Sequence, residues 1–196
     1  MTRTQRQTRQ TFGPSAIATP ANALTVLRLL AAPAFAFFIV VLGPRSWWLW
    51  TIWIVLASSD GLDGHLARRL GTTSSGAFLD PLADKFLVLG ALGVLVGEHV
   101  FSPIPVALIA FREIAMSVFR TRVSRLEISI PARNLAKWKT IAQDFSIGCA
   151  FFPPFHASAV IIPQTLLWIA TALTLYTGLE YLIDGRRLMA RSNLLK

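Results

Sequence analysis

Four aspartates stand in two spaced pairs: Asp60 and Asp63, three residues apart, then Asp80 and Asp84, four apart, in the stretch SSDGLDGHLARRLGTTSSGAFLDPLADKF over 58–86. On helices both spacings put the carboxylates of a pair on a common face. Four carboxylates facing one another repel, and at membrane depth each is costly, so something positive must compensate them. Carboxylate oxygens suit hard cations such as Mg²⁺ or Mn²⁺, and Mg²⁺ typically bridges carboxylates to substrate phosphates. The chemistry these residues point to is displacement at phosphorus, with metal neutralising the phosphate oxygens. Gly61, Gly64 and Gly76 let backbones pack closely and let a phosphate approach the chain. Arg68 follows the same face and suits a bidentate phosphate contact, and Thr73 offers a hydroxyl donor. His65 reads as an interfacial polar residue, and Arg69 reads equally well as a phosphate contact or as an anchor.

The elements that must carry these residues belong to a membrane. Charged residues make up 15% of the 196 and hydrophobic ones 54%, where a soluble domain is about a quarter charged; the mean hydropathy is +0.55. Six stretches approach the roughly 20 apolar residues that a spanning helix needs: 22–42, 46–69, 77–97, 104–123, 134–153 and 159–183. Turn signals separate them at Gly43-Pro44, 71–76, Ser102-Pro103, Pro131 and Pro153-Pro154. The expected fold is an all-α membrane protein of six transmembrane helices (residues 21–196) behind a basic juxtamembrane segment, 1–20. Arg3, Arg6 and Arg9 of that segment suit anionic headgroups. The first acid pair falls on segment 2 and the second near the start of segment 3, so a short turn lets the two faces meet.

Charge placement orients the bundle and narrows its partners. The formal charge is +9, but Lys and Arg lie between apolar runs rather than along one face, which argues against nucleic acid. With both termini cytoplasmic, Arg68, Arg69, Arg120, Arg122, Arg125, Arg133, Lys137, Lys139, Arg186, Arg187, Arg191 and Lys196 fall on that side. The far side receives Arg45, Glu98, His99 and His156. Trp47, Trp48, Trp50 and Trp53 are expected to form an aromatic belt there, and the single Cys149 is read as packing. Arg112 stands inside segment 4, where an unpaired arginine is expensive, so a phosphate or Glu113 is expected to compensate it. Arg120, Lys137 and Lys139 lie near the same surface.

The pattern Asp60-x2-Asp63-Gly64-x2-Ala67-Arg68, seven residues, then Gly76-x3-Asp80-x3-Asp84 resembles the signature of the CDP-alcohol phosphatidyltransferases. That resemblance implies an α-helical membrane enzyme of six segments, a homodimer, with its site open to the cytoplasmic leaflet. Phosphatidyl transfer from a CDP-linked lipid to an alcohol, with release of CMP, is the implied activity. It also implies that Asp60, Asp63, Asp80 and Asp84 hold Mg²⁺ or Mn²⁺, two ions, with Asp84 doubling as the general base. Gly64, Arg68 and Thr73 would contact the CDP moiety. Asn22-x-Leu24-Thr25-x2-Arg28 with Pro33, Arg112-Glu113-Ile114 with Ser117 and Arg120, and Lys137-x-Lys139-Thr140-x2-Gln143 resemble the branch that uses glycerol 3-phosphate. Thr177-Gly178-x2-Tyr181 is a weaker match, and Ala136 stands where that branch usually has Gly. The branch implies CDP-diacylglycerol held with help from Asn22 and Thr25, and an acceptor phosphate held by Arg112, Arg120, Lys137 and Lys139. Phosphatidylglycerol and an inositol phosphate are the alternative acceptors. Two other classes fit less well. An intramembrane prenyltransferase shares acids and Mg²⁺ but lacks the Gly-Ala-Arg frame. A cation transporter is disfavoured because no internal repeat is visible.

Overall fold

The computed structural model describes residues 20–70, 74–124, 135–155 and 160–194, with side chains over 29–59, 85–121, 123, 137–155 and 160–186. Those residues form helices joined by short connections and contain no strand. Six helices follow in order: α1 (Pro20–Leu42), α2 (Trp47–Leu70), α3 (Ser74–Gly97), α4 (Pro103–Ser124), α5 (Leu135–Phe151) and α6 (Ile161–Leu194).

The boundaries follow local chemistry. Gly43 takes a φ of +75° directly after α1, the left-handed conformation that ends a helix and that glycine adopts without strain. Pro103 and Pro105 fall in the first turn of α4, where backbone N–H groups have no helical partner to lose. Just before it, the Ser102 N–H donates to Gln164 Oε1 of α6 at 3.0 Å. Helix α6 runs on to Leu194 rather than stopping near 183, because 184–194 holds no proline and only one glycine to break it. The expected juxtamembrane segment 1–20 lies outside the described residues except for Pro20.

Helix α3 rests mainly on α1 and α5 on α6, with α4 against α6 and smaller contacts joining α1 to α2, α2 to α5 and α3 to both α4 and α5. The apolar core occupies the end of the bundle away from the aspartates. Leu87, Val88, Ala91, Leu92 and Leu95 make one face of α3 at helical spacing. They meet Phe35 and Ile39 of α1, Leu49 and Trp53 of α2, and Ile147 and Phe151 of α5. Trp53 departs from the expected belt. Four residues beyond Leu49, it lies on the core face, 1% exposed, and donates its indole N–H to the Asp144 carbonyl at 2.9 Å. Phe35 stacks on it, and Gly148 of α5 lies beside its ring. Trp48 remains exposed, while Trp47 and Trp50 pack against Phe152.

Large apolar side chains face outward on every helix, among them Phe37, Trp48, Val55, Phe86, Phe111, Phe145, Ile161 and Leu179. Soluble monomers rarely expose so much apolar surface. Among the described residues, one stretch, Ile161–Arg186, is long and apolar enough by itself to cross a bilayer; Leu29–Leu42, Trp47–Ser59 and Lys85–Gly97 are shorter apolar runs. Their helices continue beyond these runs into the polar half that carries the candidate chemistry.

Candidate active site

The polar half begins where the apolar core stops. On α5, Lys139, Gln143 and Ser146 share a face with Ile147, and on α6, Thr171, Thr174 and Thr177 continue the face of Leu167. All six of these polar residues are buried, so their hydrogen bonds must be found inside the protein. Gln143 Nε2 donates to Thr174 Oγ1 at 2.9 Å, and Ser146 Oγ donates to the Pro163 carbonyl at 2.8 Å. Thr171 and Thr177 return their hydroxyls to carbonyls of α6 itself. These bonds tie α5 to α6 and fix the wall against which α4 lies.

At the centre stands Glu113 of α4, 7% exposed. Three cations from three helices converge on its carboxylate. Arg112 Nη1 donates to Oε1 at 2.8 Å, the Lys139 ammonium of α5 donates to the same oxygen, and Lys85 Nζ of α3 lies 3.6 Å from Oε2. Lys85 also donates to Ser117 Oγ and, at 3.4 Å, to the Glu113 carbonyl. Arg112 Nη2 reaches α6 and donates to Thr177 Oγ1 at 3.2 Å, while its buried Nε has no partner among the described residues. Three cations around one carboxylate leave two positive charges unmatched within this group. At such burial that is tolerable when an anion is the intended occupant. Arginine presents its donors in a fixed fork that fits phosphate oxygens, and lysine adds a point charge, so the group can hold a phosphate.

The structure thus brings together Arg112 and Lys139 of the four expected acceptor cations. Lys137 is exposed and off the buried face of α5. Arg120 sits further along α4, its guanidinium 5.8 Å above the Tyr181 ring of α6, with Phe119 edge-on to the same ring. Lys85 was not singled out by its residue type. Its signal was a lysine directly after Asp84 in a run otherwise apolar to Gly97. Glu113 was one of two expected partners for Arg112, a phosphate being the other, and its carboxylate in fact meets three cations.

Asp60 and Asp63 lie on α2, and Asp80 and Asp84 on α3, both continuous helices. Their spacings therefore place the two positions of each pair on one helical face. The side chains of these four residues, and of Asn22, Thr25, Gly64 and Arg68, lie outside the described residues, as does Thr73 altogether. Among the described side chains no three His, Cys, Asp or Glu gather to hold a metal.

Comparison with known proteins extends this picture. The family model described as CDP-alcohol phosphatidyltransferase matches residues 18–176. A CDP-diacylglycerol–glycerol-3-phosphate 3-phosphatidyltransferase of Pseudomonas fluorescens is 37% identical over 184 residues, covering 85% of this chain and 93% of its own length. Proteins of the same name from Rickettsia bellii and Cereibacter sphaeroides are 33% and 34% identical. Each covers 82% of this chain, and the match spans 91% and 92% of their own lengths.

Proposed function

The chain belongs to the CDP-alcohol phosphatidyltransferase family, and from that membership we propose that it transfers a phosphatidyl group from CDP-diacylglycerol to glycerol 3-phosphate, giving phosphatidylglycerol phosphate and CMP. The observation that carries the choice of acceptor is the group around Glu113. Among its described residues three cations meet one carboxylate, an excess of two positive charges that fits a phosphomonoester dianion. Phosphatidylglycerol offers one phosphodiester charge and a free alcohol none, so both are weaker matches. An inositol phosphate shares the charge of glycerol 3-phosphate and is separated from it by direct assay.

In this reading Arg112 and Lys139 hold the acceptor phosphate, and Arg120 and Lys137 draw the anion toward the site from the cytoplasmic side. Asp84 takes the proton of the acceptor's primary hydroxyl, whose oxygen attacks the lipid-bearing phosphorus as the bond to CMP breaks. Asn22, Thr25, Gly64, Arg68 and Thr73 orient the CDP moiety. Asp60, Asp63, Asp80 and Asp84 would hold Mg²⁺ or Mn²⁺, two ions, which when bound neutralise charge on the diphosphate.

The six helices cross the membrane, with both termini and the site on the cytoplasmic side of a bacterial-type cell membrane, and the enzyme works as a homodimer among membrane lipids. Outward apolar side chains on every helix and basic residues concentrated on one side support that topology. The test is transfer of label from glycerol 3-phosphate into the lipid phase by the purified protein with CDP-diacylglycerol and Mg²⁺. Label that stays in the aqueous phase with folded protein, across several lipids and metals, refutes the proposal.

A further inference from the structure

Lys85 enters the cluster from α3, the helix that also carries Asp80 and Asp84, and it does so differently from Arg112 and Lys139. An ammonium has three hydrogens to donate. Those of Lys85 face three oxygens of α4: Ser117 Oγ, the Glu113 carbonyl at 3.4 Å and Glu113 Oε2 at 3.6 Å. Ser117 in turn donates its own hydrogen to the Glu113 carbonyl at 2.8 Å, which leaves its lone pairs turned to Lys85. One turn of α4 therefore gives this ammonium two hydrogen-bond acceptors and an ion-pair partner, while the Lys85 side chain stays 30% exposed. Among the described residues, Arg112 keeps a buried donor, Nε, without a partner, whereas Lys85 spans Ser117 and both the carbonyl and the carboxylate of Glu113.

Helix packing gives this tie a task. Helix α3 rests mainly on α1 and meets α4 over a small area, so apolar contact does little to set its register against α4. The apolar face of α3, Leu87 to Leu95, lies on the far side of Lys85 from Asp84. At 1.5 Å of rise per residue, Lys85 is the nearest anchor to the turn that bears Asp84. Through Glu113 it is joined to the same carboxylate that holds Arg112 and Lys139.

We propose that Lys85 is a positioning residue that registers the Asp84 turn of α3 against the acceptor-binding cations of α4 and α5 through Glu113 and Ser117. This rests on the reading of Asp84 as the base and of Arg112 and Lys139 as the phosphate site. Loosening the tie leaves both substrates bound and moves the base relative to the hydroxyl it must deprotonate. A misplacement of about 1 Å can cost on the order of a hundredfold in rate.

The experiment is steady-state CMP release by the full-length protein in detergent, with each substrate varied in turn. Lys85→Gln is expected to lower kcat by about tenfold or more, with the KM for CDP-diacylglycerol within about threefold and the KM for glycerol 3-phosphate raised by less than kcat falls. Ser117→Ala, which spares the ion pair, is expected to give the same split at about threefold, and the double variant to be no worse than Lys85→Gln. A rise of about tenfold in KM for glycerol 3-phosphate with kcat retained would make Lys85 a phosphate ligand and overturn the proposal. So would a kcat unchanged in both single variants. Should Lys85→Gln fail to accumulate, Ser117→Ala decides the matter by the same criteria. Wild type and Asp84→Asn run alongside: a wild type that releases no CMP with glycerol 3-phosphate, or an Asp84→Asn as fast as wild type, defeats the underlying reading and this proposal with it. A slow Asp84→Asn beside an unaffected Lys85→Gln defeats the proposal alone.

Discussion

The Arg112 side chain crosses α6 directly over Gly178, so that a Cβ on residue 178 would stand 2.8 Å from Arg112 Nε and 3.2 Å from its Cγ. Glycine is needed here for close approach rather than for backbone freedom. Gly178→Ala must displace the middle of the arginine side chain, and with it the bonds from Nη1 to Glu113 and from Nη2 to Thr177. The expected result is a KM for glycerol 3-phosphate raised by about tenfold, the scale of one charge-assisted hydrogen bond, with the KM for CDP-diacylglycerol little changed. Equal change in both constants would argue that the contact only supports the fold.

Lys137 and Lys139 are near neighbours in sequence with different surroundings. Lys139 is buried on Glu113, whereas Lys137 is exposed. Lys139→Ala should raise the acceptor KM by about tenfold or more, and Lys137→Ala by about threefold or less, the latter shrinking as salt is added. The comparison is read from acceptor titrations at two ionic strengths.

Trp53 belongs to the core and not to the chemistry. Trp53→Phe loses the bond to the Asp144 carbonyl and part of the ring that Phe35 and Phe151 enclose. A loss of about 1–2 kcal/mol is expected, seen as a lower thermal midpoint in detergent with both KM values preserved. An unchanged midpoint would mean that a water replaces the lost donor without cost.

Much of this arrangement was legible in the sequence, and particular residues show why the rest was not. The acid spacings needed only helical periodicity, and Gly43-Pro44, Ser102-Pro103 and Pro153-Pro154 marked breaks that the helices respect. Trp53 was misjudged because a tryptophan near a helix start fits an interfacial belt, while its place four residues from Leu49 fits the core equally well. Only the neighbouring helices decide between the two. Lys85 and Glu113 meet across α3 and α4 from positions 28 apart in sequence, and their encounter depends on the depth at which the two helices lie side by side. Thr177-Gly178-x2-Tyr181 was a weaker motif match, and nothing local to it reveals that an arginine of another helix passes over Gly178.

The four aspartates carry a prediction of their own. Stripping divalent ions with a chelator should abolish CMP release, and Mg²⁺ or Mn²⁺ should restore it. Asp84→Asn should remain inactive with metal present, by about a hundredfold or more, as expected for loss of a general base. Full activity in metal-free buffer would rule out the assigned role of Asp60, Asp63, Asp80 and Asp84.

The central claim is that phosphatidyl transfer is matched to a doubly charged, phosphate-bearing acceptor, and an acceptor screen tests it most directly. CMP release from CDP-diacylglycerol would be measured with glycerol 3-phosphate, glycerol, phosphatidylglycerol and an inositol phosphate at equal concentrations, in wild type and Arg112→Ala. The account predicts fast release with glycerol 3-phosphate, little with glycerol or phosphatidylglycerol, and a selective loss of glycerol 3-phosphate use in Arg112→Ala. Faster release with phosphatidylglycerol, or an Arg112→Ala variant as selective as wild type, would contradict it.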